Sequence, residues 1–204
     1  MGGCGTGKST FSMQYLYNGA LKGEGGVYVS FEEDPEQIRE NMGRFGWDLR
    51  RLEEQGKLRI VRIGPRDAVR LFKEDYGEIV DLMNDVKAQR VVVDSISSIE
   101  LMLESTLERK ENVLKFCDWL RKHDCTSIVT GESEQSPQSY SRHGVVEFAV
   151  DGVVVLYNVR KGNVREKALE VLKMRGTKHL TNIVPIVLDR SGVEVFPHEQ
   201  VFGE

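Results

Sequence analysis

Eight residues near the amino end, Gly2-Gly3-Cys4-Gly5-Thr6-Gly7-Lys8-Ser9, have the spacing GxxxxGK[ST] of a phosphate-binding loop. Glycines let successive backbone N–H groups turn inward with no Cβ in the way, so the loop can form a nest for phosphate oxygens. Lys8 offers a point charge to the outer phosphates of a nucleotide, and the Ser9 hydroxyl is a ligand for Mg2+. Gly3, Cys4, Gly5, Thr6, Gly7, Lys8, Ser9 and Thr10 are thus the candidate nucleotide contacts. Cys4 is either a thiol that a bound nucleotide shields from alkylation or simply a small residue tolerated in the loop.

Two further groups complete a hydrolytic reading. Asp94 closes the buried-strand pattern Val91-Val92-Val93-Asp94, where an acid can hold Mg2+, usually through water. The bland alternative is a strand-end aspartate capping the next turn. Glu32 and Glu33 follow the strand Val27–Phe31 and fall on the edge of an open α/β sheet where ligands bind. Either carboxylate there could polarise an attacking water, and the residues alone do not choose between them.

These groups need a scaffold, and the chain reads as one. Residues 10–21 have apolar side chains at helical spacing (Phe11, Tyr15, Leu16, Ala20), which aims a helix N-terminus at the anion site. Val27–Phe31, Leu58–Ile63, Val91–Asp94 and Ser127–Thr130 read as strands. Between them lie a helix opened by Asp34 and Pro35 with Gln37 in a capping-box position and ended by Gly46, a mostly helical stretch from Ala68 to Ala88 with a break at Gly77, and an amphipathic helix from Thr106 to His123. That last helix is expected to bury Val113, Leu114, Phe116, Cys117 and Leu120. The final third changes character: Gly152–Asn158 and Val164–Met174 form one hairpin, Ile183–Leu188 and Val193–Phe196 another. The expected fold is α/β, a mainly parallel sheet flanked by helices with C-terminal β-hairpins, in one domain covering residues 1–204.

One element is missing. A P-loop normally follows a strand, and Met1 leaves no room for it. A start placed too late, a chain cut at the loop, or a domain without its first strand would each explain this. The first two are favoured, because losing a central parallel strand exposes its neighbours' edges.

Composition narrows the function. The 204 residues carry 28 basic and 32 acidic side chains, a net charge of −4, which argues against a protein that coats DNA over its whole surface. No stretch approaches the about 18 apolar residues of a membrane span, and no charged-then-apolar leader precedes the loop. Cys4, Cys117 and Cys125 show neither CxxC nor CxxH spacing, so neither a disulfide framework nor a zinc site is expected, and a reduced, cytoplasmic setting is.

With these residues in view, the chain resembles the RecA-like ATPases and, within them, the KaiC family, in its single-domain archaeal form. The resemblance rests on the P-loop through Thr10, on Phe31-Glu32-Glu33, Phe45-Gly46-Trp47-Asp48, Val93-Asp94-Ser95 and Tyr157-Asn158-Val159, and on Lys173-Met174-Arg175-Gly176-Thr177-Lys178-His179. It implies ATP and Mg2+ as cofactors, a homo-oligomeric ring, usually a hexamer, and slow hydrolysis that switches the shape offered to a partner protein. It implies that Glu32 and Glu33 act on the lytic water, with the first usually given the larger role. It also implies that Lys173, Met174, Arg175, Thr177 and His179 belong to a segment reaching a neighbour's nucleotide. Glu147 and Phe148 stand where the family's autokinase domain carries a Ser-Thr pair of phosphoacceptors, which favours hydrolysis over self-phosphorylation.

Two other functions fit part of the pattern. A single-stranded-DNA-binding ATPase like the RecA and RadA paralogues would use the segment 131–142, which holds two glutamates against one arginine. Arg50-Arg51 and Arg160, Lys161, Arg165 and Lys167 could line a ring face, or be solvated surface. A non-hydrolysing, ATP-gated scaffold is the third reading.

Overall fold

Every second residue of the first strand faces a different layer, and that alternation sets the architecture. In the computed structural model, which describes residues 1–64, 67, 68, 70, 76–133, 140, 141 and 144–201, β1 (Gly25–Ser30) lies between β2 (Leu58–Arg62) and β3 (Ala88–Asp94), and β4 (Thr126–Val129) pairs with the far side of β3. All three pairings are parallel, so the β1 and β3 ends carrying Ser30 and Asp94 lie side by side. Both faces are covered, which is why the strands read as apolar runs. Val27, Val29, Phe31, Val91 and Val93 pack on one face with α4 (Gly77–Asp85), α6 (Thr106–Lys122) and α7 (Val146–Ala149). Tyr28 and Val92 face the other, against α1 (Lys8–Leu21), α2 (Pro35–Gly43) and α3 (Leu49–Glu54).

The C-terminal third forms its own antiparallel sheet, β5 (Gly152–Lys161), β6 (Val164–Met174), β7 (Val184–Asp189) and β8 (Gly192–Val195), in that order. The two expected hairpins are thus one sheet, joined by pairing of β6 with β7. Its last hairpin docks on α1: the Gln14 amide donates to the Val193 carbonyl and accepts from its N–H. Where a strand ahead of the P-loop would run, Gly2 forms single parallel bridges to both sheets, to Glu132 past β4 and to Leu156 on β5.

Several boundaries differ from the sequence reading. The second helix ends at Gly43, and Gly46 (φ 76°) instead turns the chain into α3, an element not expected from the sequence. Asp34 caps α2 by accepting from Glu36 N–H at 3.0 Å, and Gln37 makes no reciprocal bond among those described. Gly77 opens α4, which stops at Asp85 because Ala88 is already strand; residues 65, 66, 69 and 71–75 of that stretch lie outside the described set. Ser105 caps α6 by accepting from Glu108 N–H, and Leu114 turns partly to solvent while Val113, Phe116, Cys117 and Leu120 are buried. The short helices α5 (Ile96–Glu100) and α7 were not expected. Most of the candidate DNA segment, residues 134–139 and 142, lies outside the described residues.

Candidate nucleotide and magnesium site

The P-loop closes over the start of α1. Gly5 and Gly7 take positive φ values of 72° and 99°, the left-handed region that glycine enters without strain and that a nest requires. Gly7 is the helix cap, so the unpaired N–H groups of the first turn point to the same concavity. Lys8 Nζ donates to the Gly2 and Gly3 carbonyls at 2.8 and 2.9 Å, and the Thr6 hydroxyl donates to Gly3. The lysine therefore already sits at the mouth of the loop, and phosphate oxygens would replace the carbonyls as its partners. Cys4 is exposed in this loop.

Asp94 is held by two hydroxyls. Tyr28 donates to one carboxylate oxygen and Thr130 to the other. Ser9 lies beside the same phenol, which therefore stands between the loop serine and the strand-end aspartate. Burial and the neighbouring Asp94 charge push the Tyr28 phenol well above its usual range, keeping it a proton donor. Ser9 and Asp94 offer a hydroxyl and a carboxylate, the hard oxygen donors that suit Mg2+. Among the described residues no cluster of three or more His, Cys, Asp or Glu side chains competes for a softer metal.

The two glutamates differ in their surroundings. Glu32 accepts a hydrogen bond from Ser98 on α5 and a longer one, 3.5 Å, from Ser95. Glu33 makes no comparable bond among those described; partial burial, with Asp94 and Glu32 beside it, raises its carboxyl above the ordinary range. Glu32 is thus oriented, and Glu33 carries the strain of a third negative charge.

Of the remaining expected contacts, Lys173 and Arg175 do share a direction, yet they turn to their own chain. Lys173 Nζ donates to the Glu147 and Val150 carbonyls at 2.9 and 2.7 Å, and burial together with the Arg175 charge lowers its basicity. Arg175 pairs with Asp151 at 3.3 Å and donates to the Phe148 carbonyl. Thr177 N–H bonds the Met174 carbonyl, and His179 Nδ1 lies 3.0 Å from the Leu180 carbonyl. None of these bonds reaches the P-loop. Lys167, six residues earlier on β6, does: its ammonium donates to the Gly5 carbonyl, and burial lowers its basicity. At about 3.4 Å per residue the Lys173 end lies roughly 20 Å further along the strand.

Lys167, Tyr28, Thr130 and Ser98 are the functional neighbours that sequence reasoning passed over. A hydroxyl on an otherwise apolar strand was the available signal for Tyr28, and Ser95-Ile96-Ser97-Ser98 after the strand-end aspartate for Ser98.

Set against known proteins, this arrangement has a clear place. A family model described as "ATPase: KaiC" matches residues 1–200, and the chain belongs to this family of RecA-type P-loop ATPases. The circadian clock oscillator protein KaiC of Synechococcus elongatus is 35% identical over 205 residues, which is 96% of this chain and 39% of that protein. The circadian clock protein KaiC3 of Synechocystis is 32% identical, over 96% of this chain and 40% of its own length. The chain thus spans about two fifths of the curated relatives it matches. The crystal structure of the KaiC-like protein PH0186 from Pyrococcus horikoshii OT3 superposes with a TM-score of 0.83 at 36% identity, covering 96% of this chain and 87% of that one. No helix among the described residues is long and apolar enough to cross a membrane.

Proposed function

We propose that residues 1–204 form one domain that binds ATP with Mg2+ and hydrolyses it slowly, within a ring whose subunits place the nucleotide between them. The observation that carries this reading is the convergence of Lys8, Ser9, Asp94 and the Ser98-held Glu32 at one edge of the parallel sheet. The nest and Lys8 bind the phosphates. Ser9 and Asp94 would hold Mg2+, which when bound draws charge from the phosphoryl oxygens. Glu32, fixed by Ser98, accepts a proton from the attacking water.

The ring is inferred from what the chain does not bring to its own site. Lys173 near the end of β6 and Arg175 just past it are held by carbonyls and an exposed aspartate that a neighbour's phosphates could replace. Delivered in trans, they would stabilise charge on the transferring phosphoryl group. Phe148, 73% exposed beside them, gives that face an apolar contact. The nucleotide state would then set the shape shown to a partner protein.

Binding of a fluorescent ATP analogue, titrated with and without Mg2+, tests this. Wild-type protein is expected to bind with Mg2+ dependence, Lys8→Ala to lose about a hundredfold in affinity, and Asp94→Asn to lose the Mg2+ dependence. Equal binding by all three forms would contradict the proposal.

A further inference from the structure

Helix α7 is four residues long, too short to persist on its own bonds. Its last carbonyls have no further turn to accept from. Three cations from elsewhere in the chain meet them instead. Lys173 Nζ donates to the Glu147 and Val150 carbonyls, Arg175 to the Phe148 carbonyl, and Arg121, in the last turn of α6, to the Ala149 carbonyl. Four consecutive carbonyls are thus each met by a positive side chain, at the helix end where cations are favoured.

Asp151, the next residue but one after α7, separates these cations into two kinds. One carboxylate oxygen accepts from Arg121 at 3.1 Å, and the other pairs with Arg175 at 3.3 Å. Arg121 has further bonds of its own, to Asp118 at 2.6 Å and to the Ala149 carbonyl. Hydrogen bonding from Arg121 leads the effects that hold the Asp151 carboxyl below the ordinary carboxylate range, ahead of Arg175. The Arg175 main chain is anchored separately, its N–H donating to the Asp151 carbonyl at 2.8 Å, so its guanidinium can change partner without moving the backbone. Arg121 is the fixed partner of Asp151, and Arg175 the exchangeable one.

We infer that Arg121 is a positioning residue for Arg175: it occupies the Asp151 carboxylate so that Arg175 can be released to phosphate, and it keeps hold of the end of α7 when Lys173 and Arg175 leave. A carboxylate shared between two guanidiniums binds each more weakly than it would bind one alone, because the two cations repel. Without Arg121, Asp151 becomes an internal rival to phosphate for Arg175. With Arg121 in place, that rivalry is blunted and the Ala149 carbonyl stays capped. The inference rests on the reading of Arg175 as a cation delivered to a neighbour's nucleotide, but the hold on Arg175 is measurable with no nucleotide present.

The test is the rate at which phenylglyoxal modifies Arg175 in nucleotide-free protein, resolved by peptide mass spectrometry, alongside single-turnover phosphate release and ATP affinity. Arg121→Ala is expected to slow Arg175 modification about threefold and to lower release about fivefold, with ATP affinity within a few-fold of wild type. Asp151→Asn, at an exposed position, is expected to speed modification about threefold. The double variant is expected to follow Asp151→Asn in modification and to regain release, which a purely structural role for Arg121 does not produce. Arg121→Lys, which keeps a cation at Asp151, is expected to stay within about twofold of wild type. Arg175 modified as fast or faster in Arg121→Ala would overturn the inference whatever release does, as would a double variant that regains modification but not release. The expected changes in modification with release unmoved in every variant would instead sink the delivery of Arg175 to phosphate.

Discussion

Two polar clusters, one at the edge of the parallel sheet and one at the end of β6, are held by internal bonds of different kinds. At the sheet edge, Asp94 is gripped by Tyr28 and Thr130, and Glu32 by Ser98, all side-chain hydroxyls that orient a carboxylate without neutralising it. At the far end of β6, Lys173 and Arg175 are bound by backbone carbonyls and by Asp151, a carboxylate 58% exposed. Hydroxyls on the buried Tyr28, Thr130 and Ser98 fix those carboxylates in a pre-set site. Exposed ion pairs contribute about 0–1 kcal/mol and exchange readily for a better partner. The first cluster is built to act where it stands, and the second to let go.

The comparison is broken most sharply by emptying the second cluster. Lys173→Ala with Arg175→Ala is expected to lower phosphate release per bound ATP by about a thousandfold. Mixing that variant with Glu32→Gln subunits is expected to restore part of the turnover, because one of the two kinds of interface between unlike subunits then combines an intact Glu32 with intact cations. Failure to complement in assembled mixtures would confine the cations to a local role at the end of α7. In the first cluster, Tyr28→Phe removes the hydroxyl that holds Asp94 beside Ser9. The Mg2+ concentration for half-maximal hydrolysis is expected to rise roughly tenfold, with ATP affinity in saturating Mg2+ unchanged. Ser98→Ala is expected to lower kcat about tenfold with little change in KM, and Ser98→Thr to recover most of it. A matching loss of Tm with no kinetic split would mark Ser98 as merely structural.

The smallest effect concerns Glu33. Its carboxyl is raised in the folded chain, so the folded state holds that proton more tightly than the unfolded one. Its contribution to stability is therefore full below the ordinary carboxylate range and is lost as pH rises through the raised value. Glu33→Gln is expected to raise Tm by about one or two degrees at pH 7, with the gain vanishing in acid, as thermal melts across pH would show.

Most of the first cluster was legible because motifs fix it. The loop glycines, Lys8 and Ser9 have one reading, and Asp94 follows from a buried strand that needs a polar end. Tyr28 was not legible: in an apolar strand its ring belongs to the core beneath α1, and only register against β3 brings its hydroxyl to Asp94. Ser98 sits on a five-residue helix, too short for periodicity to reveal, and α3 and α7 escaped for the same reason. Lys167 looked like one of several surface cations until the docking of the second sheet placed it on Gly5. The long strands of that sheet were readable from turns, whereas their joining into one sheet depends on the pairing of β6 with β7, which is remote in sequence. For Lys173 and Arg175, the resemblance singled out the segment but not the carbonyls and the aspartate the two cations touch within the chain.

The proposed hydrolysis turns on Glu32, held by Ser98 at this edge of the sheet. Single-turnover phosphate release from Mg2+-ATP, measured alongside nucleotide affinity for wild-type and Glu32→Gln protein, tests it most directly. Release is expected to fall by about a hundredfold or more in the variant with affinity within a few-fold of wild type. Equal release from both forms would contradict the account and leave this chain a nucleotide-binding domain without the proposed chemistry.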